Sequence, residues 1–195
     1  MMDMAAKAAG RDPVEFRLAY LEGGDKDAQR KAGVLKLAAE KGNWGNPAAG
    51  NVQGIAVHKS FGSFVAEVVE VSGTPADGIQ IEKVTAAVDC GIAVNPDVIR
   101  AQTEGAIGYG IGHAMRDQIT LDGGAVEQSN FPDYEPLRIS DIKAIETHIV
   151  ASAEAPTGIG EPGTPPSAPA LANAIAQLDV QVAELPMSEN GVSFV

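Results

Sequence analysis

The sequence has almost none of the residues from which proteins build disulfides or metal centres. Its 195 residues include one cysteine, Cys90, so no disulfide can form within the chain and no cysteine cluster is available for zinc or iron–sulfur. The three histidines, His58, His113 and His148, lack the HxH or HxxxH spacing of a zinc site. Cys90 follows an alternating apolar run and is predicted to be a small buried side chain.

Positive charge is also scarce. The chain has 14 Lys and Arg against 26 Asp and Glu, a net charge of -12, which excludes the electrostatic attraction that nucleic-acid binding needs. Residues 51–195 carry 6 basic and 19 acidic side chains, and we expect these acids to form a solvated surface. The sequence has neither an apolar run of about 18 residues nor a signal-peptide pattern, so no membrane insertion is expected. The compartment, cytoplasmic or periplasmic, stays open.

The first 42 residues have helical patterning. Apolar and alanine positions recur at helical spacing in residues 1–9, 14–21 and 27–41, with Asp12-Pro13 as a helix start and Val34, Leu35 and Ala38 on one face. A Gly- and Asn-rich loop follows, in which Trp44 is expected to pack as an anchor. We therefore predict a helical segment over residues 1–42.

From Val52 onward the pattern favours strands. Alternating and β-branched runs predict strands at 54–58, 64–71, 80–88, 145–152 and 180–185, a hairpin at 119–126, and a glycine-rich helix at 97–115. The glycines of that helix imply close approach either of the sheet or of a ligand. The expected fold class is α+β, with N-terminal helices followed by a mixed β-sheet packed with helices, and residues 43–195 form the second unit.

The segment GIGEPGTPPSAPALANAI, Gly158–Ile175, combines a glycine-rich loop with a helix predicted from about Pro169. Glu161 is the only ionisable residue between Pro156 and Leu178. Its carboxylate could cap the backbone N–H groups at the start of the helix, or it could act as a general base. A phosphate-binding loop is disfavoured, since no Lys or Arg lies nearby in the sequence and GxGxxG is absent.

Two segments together resemble a known family. VDCGIAVNPDVIRAQTEGAIGYGIGHAM, Val88–Met115, and the Gly-Glu-Pro segment are similar to the large subunit of molybdenum hydroxylases, the xanthine dehydrogenase and aldehyde oxidase family, and within it to the isoquinoline 1-oxidoreductase group. AVHKSFGSFVAEVVEV, Ala56–Val71, and QSNFPDYEPLR, Gln128–Arg138, extend the resemblance over nearly the whole chain.

The resemblance implies a molybdopterin-binding domain, with the cytosine dinucleotide form of the cofactor expected and no protein ligand to the molybdenum. It implies that Glu161 is the catalytic base and that Gln102, Gly158 and Gly160 contact the cofactor. The implied reaction is hydroxylation by water of an aldehyde or an N-heterocyclic carbon. Implied partners are the remaining portion of the large subunit, a small [2Fe-2S] subunit, and iron–sulfur or haem groups on other subunits that carry the electrons away.

The sequence also departs from that family. The Gly-Gln-Gly motif and the serine-containing loop that hold the rest of the pterin are absent, so the chain resembles the C-terminal part of a catalytic subunit, inactive without the missing N-terminal portion. Two alternatives stay open at this point. One is a catalytically inactive, truncated interaction or structural module, and the other is a solute-binding domain that uses the glycine-rich loop for phosphate.

Overall fold

The computed structural model describes residues 1–195 and has three layers. One helical layer covers one face of a four-stranded sheet, and two helices from later in the chain cover the other. The helices are α1 (Met2–Ala8), α2 (Pro13–Leu21), α3 (Lys26–Lys41), α4 (Pro96–Met115) and α5 (Thr164–Ile175). The strands are β1 (Val52–Ser60), β2 (Ser63–Thr74), β3 (Gly78–Asp89), β4 (Leu121–Asp122), β5 (Ala125–Val126) and β6 (Ile145–Ile149). The mixed α+β fold is therefore confirmed.

The three N-terminal helices form where the sequence predicts them. The Asp12 carboxylate accepts hydrogen bonds from the N–H groups of Val14 and Glu15, at 2.8 and 3.0 Å, and so caps α2. Its second oxygen accepts a 2.8 Å hydrogen bond from the Trp44 indole N–H, which holds the following loop against α2. The predicted apolar face of α3 is buried against β2.

The sheet has the order β1-β2-β3-β6, with β1, β2 and β3 antiparallel and β6 parallel to β3. Side chains alternate along β2, because neighbouring residues of a strand point to opposite faces. Phe64, Ala66 and Val68 pack toward α3. Val69 and Val71 lie in the larger core with α4 and α5. The sheet is thus buried on both faces.

Close approach in this fold involves α5. A Cβ atom built on Gly110 of α4 would lie 2.8 Å from the Thr164 carbonyl oxygen and 2.9 Å from the Ser167 Cβ. A Cβ on Gly54 of β1 would lie 2.1 Å from the Ala174 nitrogen. Gly110 therefore allows α4 to pack on α5, rather than on the sheet.

Two predicted elements are wrong. Helix α5 begins at Thr164, five residues before Pro169, because prolines in a first helical turn have no hydrogen bond to lose. Residues 180–185 form no strand. Val180 and Val182 pack half-buried against the larger core, and this packing accounts for their alternation without any strand pairing.

The expectation of a wholly solvated acidic surface is also wrong. Glu67, Asp89 and Asp141 are buried. Asp89 pairs with Arg30 of α3, with 2.7 and 2.8 Å between guanidinium nitrogens and carboxylate oxygens. This pair joins the helical segment to the end of β3, and the division of the chain at residue 42 stays a prediction. None of the helices has the length and hydropathy that crossing a membrane requires.

Candidate functional site

The glycine-rich loop between β6 and α5 begins on the turn between β1 and β2. The N–H of Gly158 donates a 3.1 Å hydrogen bond to the Phe61 carbonyl, and the Ser63 hydroxyl donates a 2.6 Å bond to the Gly158 carbonyl. Phe61 and Gly62 both have positive φ, +51° and +80°, as a tight two-residue hairpin turn requires. The start of the loop is therefore fixed to a sharply defined turn of the sheet.

The end of the loop is fixed to α4. The Thr164 hydroxyl donates a 3.2 Å hydrogen bond to the Ala106 carbonyl. A Cβ on Gly163 would lie 3.0 Å from the Thr103 carbonyl oxygen and 3.1 Å from the Ala106 Cβ, so a larger residue would push the loop away from α4. The N–H of Thr164 donates a 2.9 Å hydrogen bond to the Glu161 carbonyl and closes the turn that carries Glu161.

Three of the four predicted site residues come close together at this point. Gln102 lies on the exposed side of α4, one residue before Thr103, which contacts the loop. A Cβ on Gly160 would lie 4.0 Å from the Gln102 side-chain nitrogen, and Glu161 is the next residue along the chain. The structure therefore brings Gln102 to the loop, which the distance of 58 residues in the sequence does not indicate.

Glu161 is exposed, and its carboxylate makes neither a hydrogen bond nor an ion pair within the chain. Helix α5 has Gly163 as its N-cap and no side-chain cap. Of the two uses considered for this carboxylate, capping of α5 is not observed. The carboxylate is therefore available to a group that lies outside this chain.

The loop also presents unpaired hydrogen-bond donors. The N–H groups of Ile159, Gly160 and Glu161 have no acceptor within the chain, and neither has the Gln102 amide. The N–H of Gly158 is already taken by Phe61. Three consecutive backbone donors, on Gly160 and the residues on either side of it, and the nearby Gln102 amide are therefore unpaired, and this donor set fits an oxygen-rich cofactor brought in from outside the chain.

The surroundings of the site contain no cluster of metal ligands. No group of three or more His, Cys, Asp or Glu side chains comes together anywhere in the structure. Cys90 is buried beside Val65, Val88 and Ile99, as predicted, and burial together with the charge of Asp89 raises the pKa of its thiol.

Some exposed apolar side chains lie on the elements that carry the site. Phe61 is 66% exposed, Val94 79% and Tyr109 64%, and Ile92 and Val98 are about half exposed. They lie on the β1–β2 turn, on the segment that follows β3, and on the side of α4 that carries Gln102. Exposed apolar side chains on neighbouring elements are typical of a surface that another chain covers.

Sequence reasoning missed the polar residues that hold the loop. Ser63, Thr157 and Ser167 are examples, and their roles depend on contacts about 100 residues apart in the sequence, such as the 2.7 Å contact between the Ser63 and Thr157 hydroxyls. A signal existed for Glu67. It lies in phase with Val65 and Val69 on a strand, and this spacing places it on a buried face.

Comparison with known proteins agrees with this fold. Residues 20–143 match the model of a family described as molybdopterin cofactor-binding domain. The isoquinoline 1-oxidoreductase subunit beta of Brevundimonas diminuta is 33% identical, over 96% of this chain and 24% of that protein. The membrane-bound aldehyde dehydrogenase [pyrroloquinoline-quinone] of Gluconacetobacter polyoxogenes is 31% identical, over 89% of this chain and 25% of that protein.

Among solved structures, quinoline 2-oxidoreductase from Pseudomonas putida 86 has a similar fold. The TM-score is 0.53 and the identity 23%, over 64% of this chain and 17% of that one. The chain therefore spans about a quarter of the length of the two curated relatives, and less of the solved structure.

Proposed function

Because the chain belongs to the molybdopterin cofactor-binding domain family, we propose that it is the C-terminal part of the catalytic subunit of a molybdopterin-dependent oxidoreductase. The proposed reaction is hydroxylation by water of an N-heterocyclic or aldehyde carbon, the two substrate classes that the names of the relatives contain. The observation that carries the proposal is the free carboxylate of Glu161, held beside Gln102 and three unpaired backbone N–H groups.

The residues of this chain would have two roles, to bind the cofactor and to accept a proton. The N–H groups of residues 159–161 and the Gln102 amide would donate hydrogen bonds to oxygen atoms of the cofactor, in its proposed cytosine dinucleotide form. The cofactor, when bound, supplies the two-electron oxidation of the substrate carbon. Glu161 would accept the proton that the attacking oxygen releases, at a carboxylate oxygen.

The structure supports this assignment for Glu161 because the backbone is fixed and the carboxylate is not. The turn is closed by the Thr164 N–H and docked on α4, so the side chain starts from one defined position. A base on a fixed backbone has only its side-chain rotamer to adjust during the reaction. Cover by the remaining portion of the large subunit would exclude water from Glu161, and a small [2Fe-2S] subunit or a haem group would accept the electrons.

The test is Glu161→Gln in the enzyme reassembled with the remaining portion of the subunit. Turnover per bound molybdenum should fall about 100-fold or more, the effect of removing a general base. Molybdenum content should stay at the parent value, and the stability of the chain should change by less than about 0.5 kcal/mol, since Glu161 has no partner to lose. Glu184→Gln, at another exposed carboxylate, is the matched control.

Parent turnover in Glu161→Gln would contradict the proposed base. A reassembled parent enzyme that binds no pterin and shows no turnover would favour an inactive interaction module. The cofactor itself is tested by extraction of the reassembled enzyme. Molybdenum with a pterin is expected. Pyrroloquinoline quinone in its place, the cofactor in the name of one relative, would contradict the proposed chemistry.

A further inference from the structure

A buried carboxyl group lies behind the loop that carries Glu161. Glu67, in the middle of β2, is 0% exposed and faces α5. Its neighbours across the sheet are Ala56 on β1 and Ala86 on β3. No ion pair reaches it, and one carboxyl oxygen, Oε1, has no hydrogen-bond partner. A carboxyl group in such surroundings has nothing to balance a negative charge.

No titratable group faces Glu67 from the packed elements. On β3 the flanking positions on the same face are Val84 and Val88, and α5 contains no charged residue. On β1 the next titratable side chain on that face is His58, which is exposed and lies opposite Val65. The only polar contact of Glu67 is the hydroxyl of Ser167.

The hydrogen-bond distances limit where the protons can lie. The Ser167 Oγ lies 3.0 Å from Glu67 Oε2 and 2.8 Å from the Gly163 carbonyl oxygen. The Ser167 hydroxyl has one proton for these two acceptors, so it donates either to Glu67 or to the Gly163 carbonyl, which can only accept. When it donates to Gly163, the contact between Ser167 and Glu67 is a hydrogen bond only if Glu67 is protonated and donates. Burial, which raises the pKa of Glu67 well above its usual range, favours the same protonated form.

The hydrogen bonds from Glu67 through Ser167 lead to Gly163, at the end of the loop that carries Glu161. Gly163 is the N-cap of α5, two residues after Glu161, and its neighbour Thr164 closes the Glu161 turn. We propose that Glu67 and Ser167 form a positioning pair: the neutral Glu67 carboxyl donates to Ser167, which donates to Gly163 and so holds the Gly-Glu-Pro turn in place. Glu67 is a positioning residue, and its importance for turnover rests on the function proposed for Glu161.

The test uses the chain alone and the hydrogen exchange of the Thr164 amide, which donates to the Glu161 carbonyl. Glu67→Leu removes the donor to Ser167, and Thr164 exchange should become about tenfold faster, the effect of losing one buried hydrogen bond. Glu67→Gln keeps an N–H donor, so the Thr164 amide in this variant should exchange at the parent rate. Thr85→Val, a buried polar residue on the other face of the sheet, is the control and should also exchange at the parent rate.

Equal Thr164 exchange in the parent and in Glu67→Leu would overturn the proposal, and so would a Glu67→Gln variant that behaves like Glu67→Leu. A second measurement does not depend on whether the leucine variant folds. The carboxyl carbon signal of Glu67, followed by NMR in the parent chain, should keep its protonated position at neutral pH. An ionised Glu67 at neutral pH would contradict the proposal.

Both measurements are made without cofactor, so they separate this proposal from the proposed function. Parent turnover in Glu161→Gln would refute the base and leave the exchange results standing. In the reassembled enzyme, Glu67→Leu should lower kcat with little change in KM, whereas Glu67→Gln should have the parent kcat. A lowered kcat in Glu67→Gln would contradict the positioning role of Glu67.

Discussion

The contact between β1 and α5 offers a sharp test of the fold, because one missing Cβ permits it. A Cβ on Gly54 would lie 2.1 Å from the Ala174 nitrogen, 2.3 Å from the Ala170 carbonyl oxygen and 2.7 Å from the Asn173 carbonyl carbon. All three atoms belong to the backbone of α5, so no side-chain rotation can relieve the overlap. Gly54→Ala therefore requires α5 to move away from β1 by about 1 Å.

That movement would open the larger core, since Leu171, Ala174 and Ile175 of α5 are all 0% exposed. We expect Gly54→Ala to cost about 3 kcal/mol of unfolding free energy, the upper end for added volume in a packed core. For a chain of this size the melting temperature should fall by about 6–12 °C. The unfolding free energy is measured by urea denaturation with circular dichroism.

The matched control is Gly105→Ala on the exposed side of α4, where an added Cβ meets nothing within 4 Å. That variant should gain about 1 kcal/mol, because alanine forms helix better than glycine. A Gly54→Ala chain within about 0.5 kcal/mol of the parent would refute the direct backbone contact. A destabilised Gly105→Ala would show that the exposed side of α4 is already covered in solution.

Four further predictions concern charge, cofactor binding and assembly. Burial raises the pKa of Glu67, so the contribution of Glu67 to stability is present at low pH and is lost as pH rises above about 4.3. The loss should reach up to about 1.4 kcal/mol per pH unit. The difference in unfolding free energy between the parent and Glu67→Gln, measured by urea unfolding, should show this slope. Burial would raise the pKa of Asp89, but the hydrogen bonds and charge of Arg30 hold this pKa below its usual value. The ion pair of Arg30 and Asp89 therefore stabilises the fold above about pH 4, and its contribution is lost as pH falls. Arg30→Met should lower the free energy of unfolding by about 3 kcal/mol at neutral pH, and a decrease of less than about 1 kcal/mol would contradict the pairing. The chain alone should bind no stable molybdenum cofactor, and stoichiometric molybdenum by elemental analysis would contradict this. The chain alone should also self-associate through exposed apolar residues such as Tyr109, and Tyr109→Ser should weaken the association. A strictly monomeric parent by light scattering would contradict the second expectation.

Local sequence signals determined most of the elements. Asp12-Pro13 marks the start of α2, the spacing of Val34, Leu35 and Ala38 marks the buried face of α3, and alternation marks β1 to β3. Such signals work because a cap or a periodic apolar face depends on residues within a turn or two of one another. At residues 180–185 the same alternation was misleading, because the apolar side chains pack on the core without any pairing to another strand.

The candidate site was only partly determined in this way. Glu161 and the glycines around it stand out in the sequence, because a lone carboxylate in an apolar, glycine-rich segment is unusual. The placement of Gln102 beside Gly160 was decided by the docking of Gly163 and Thr164 on α4. The protonated state inferred for Glu67 depends on α5 lying over β2 and on the alanines at its sides. Both features arise from contacts between distant segments, and sequence periodicity carries no information about which distant segments will meet.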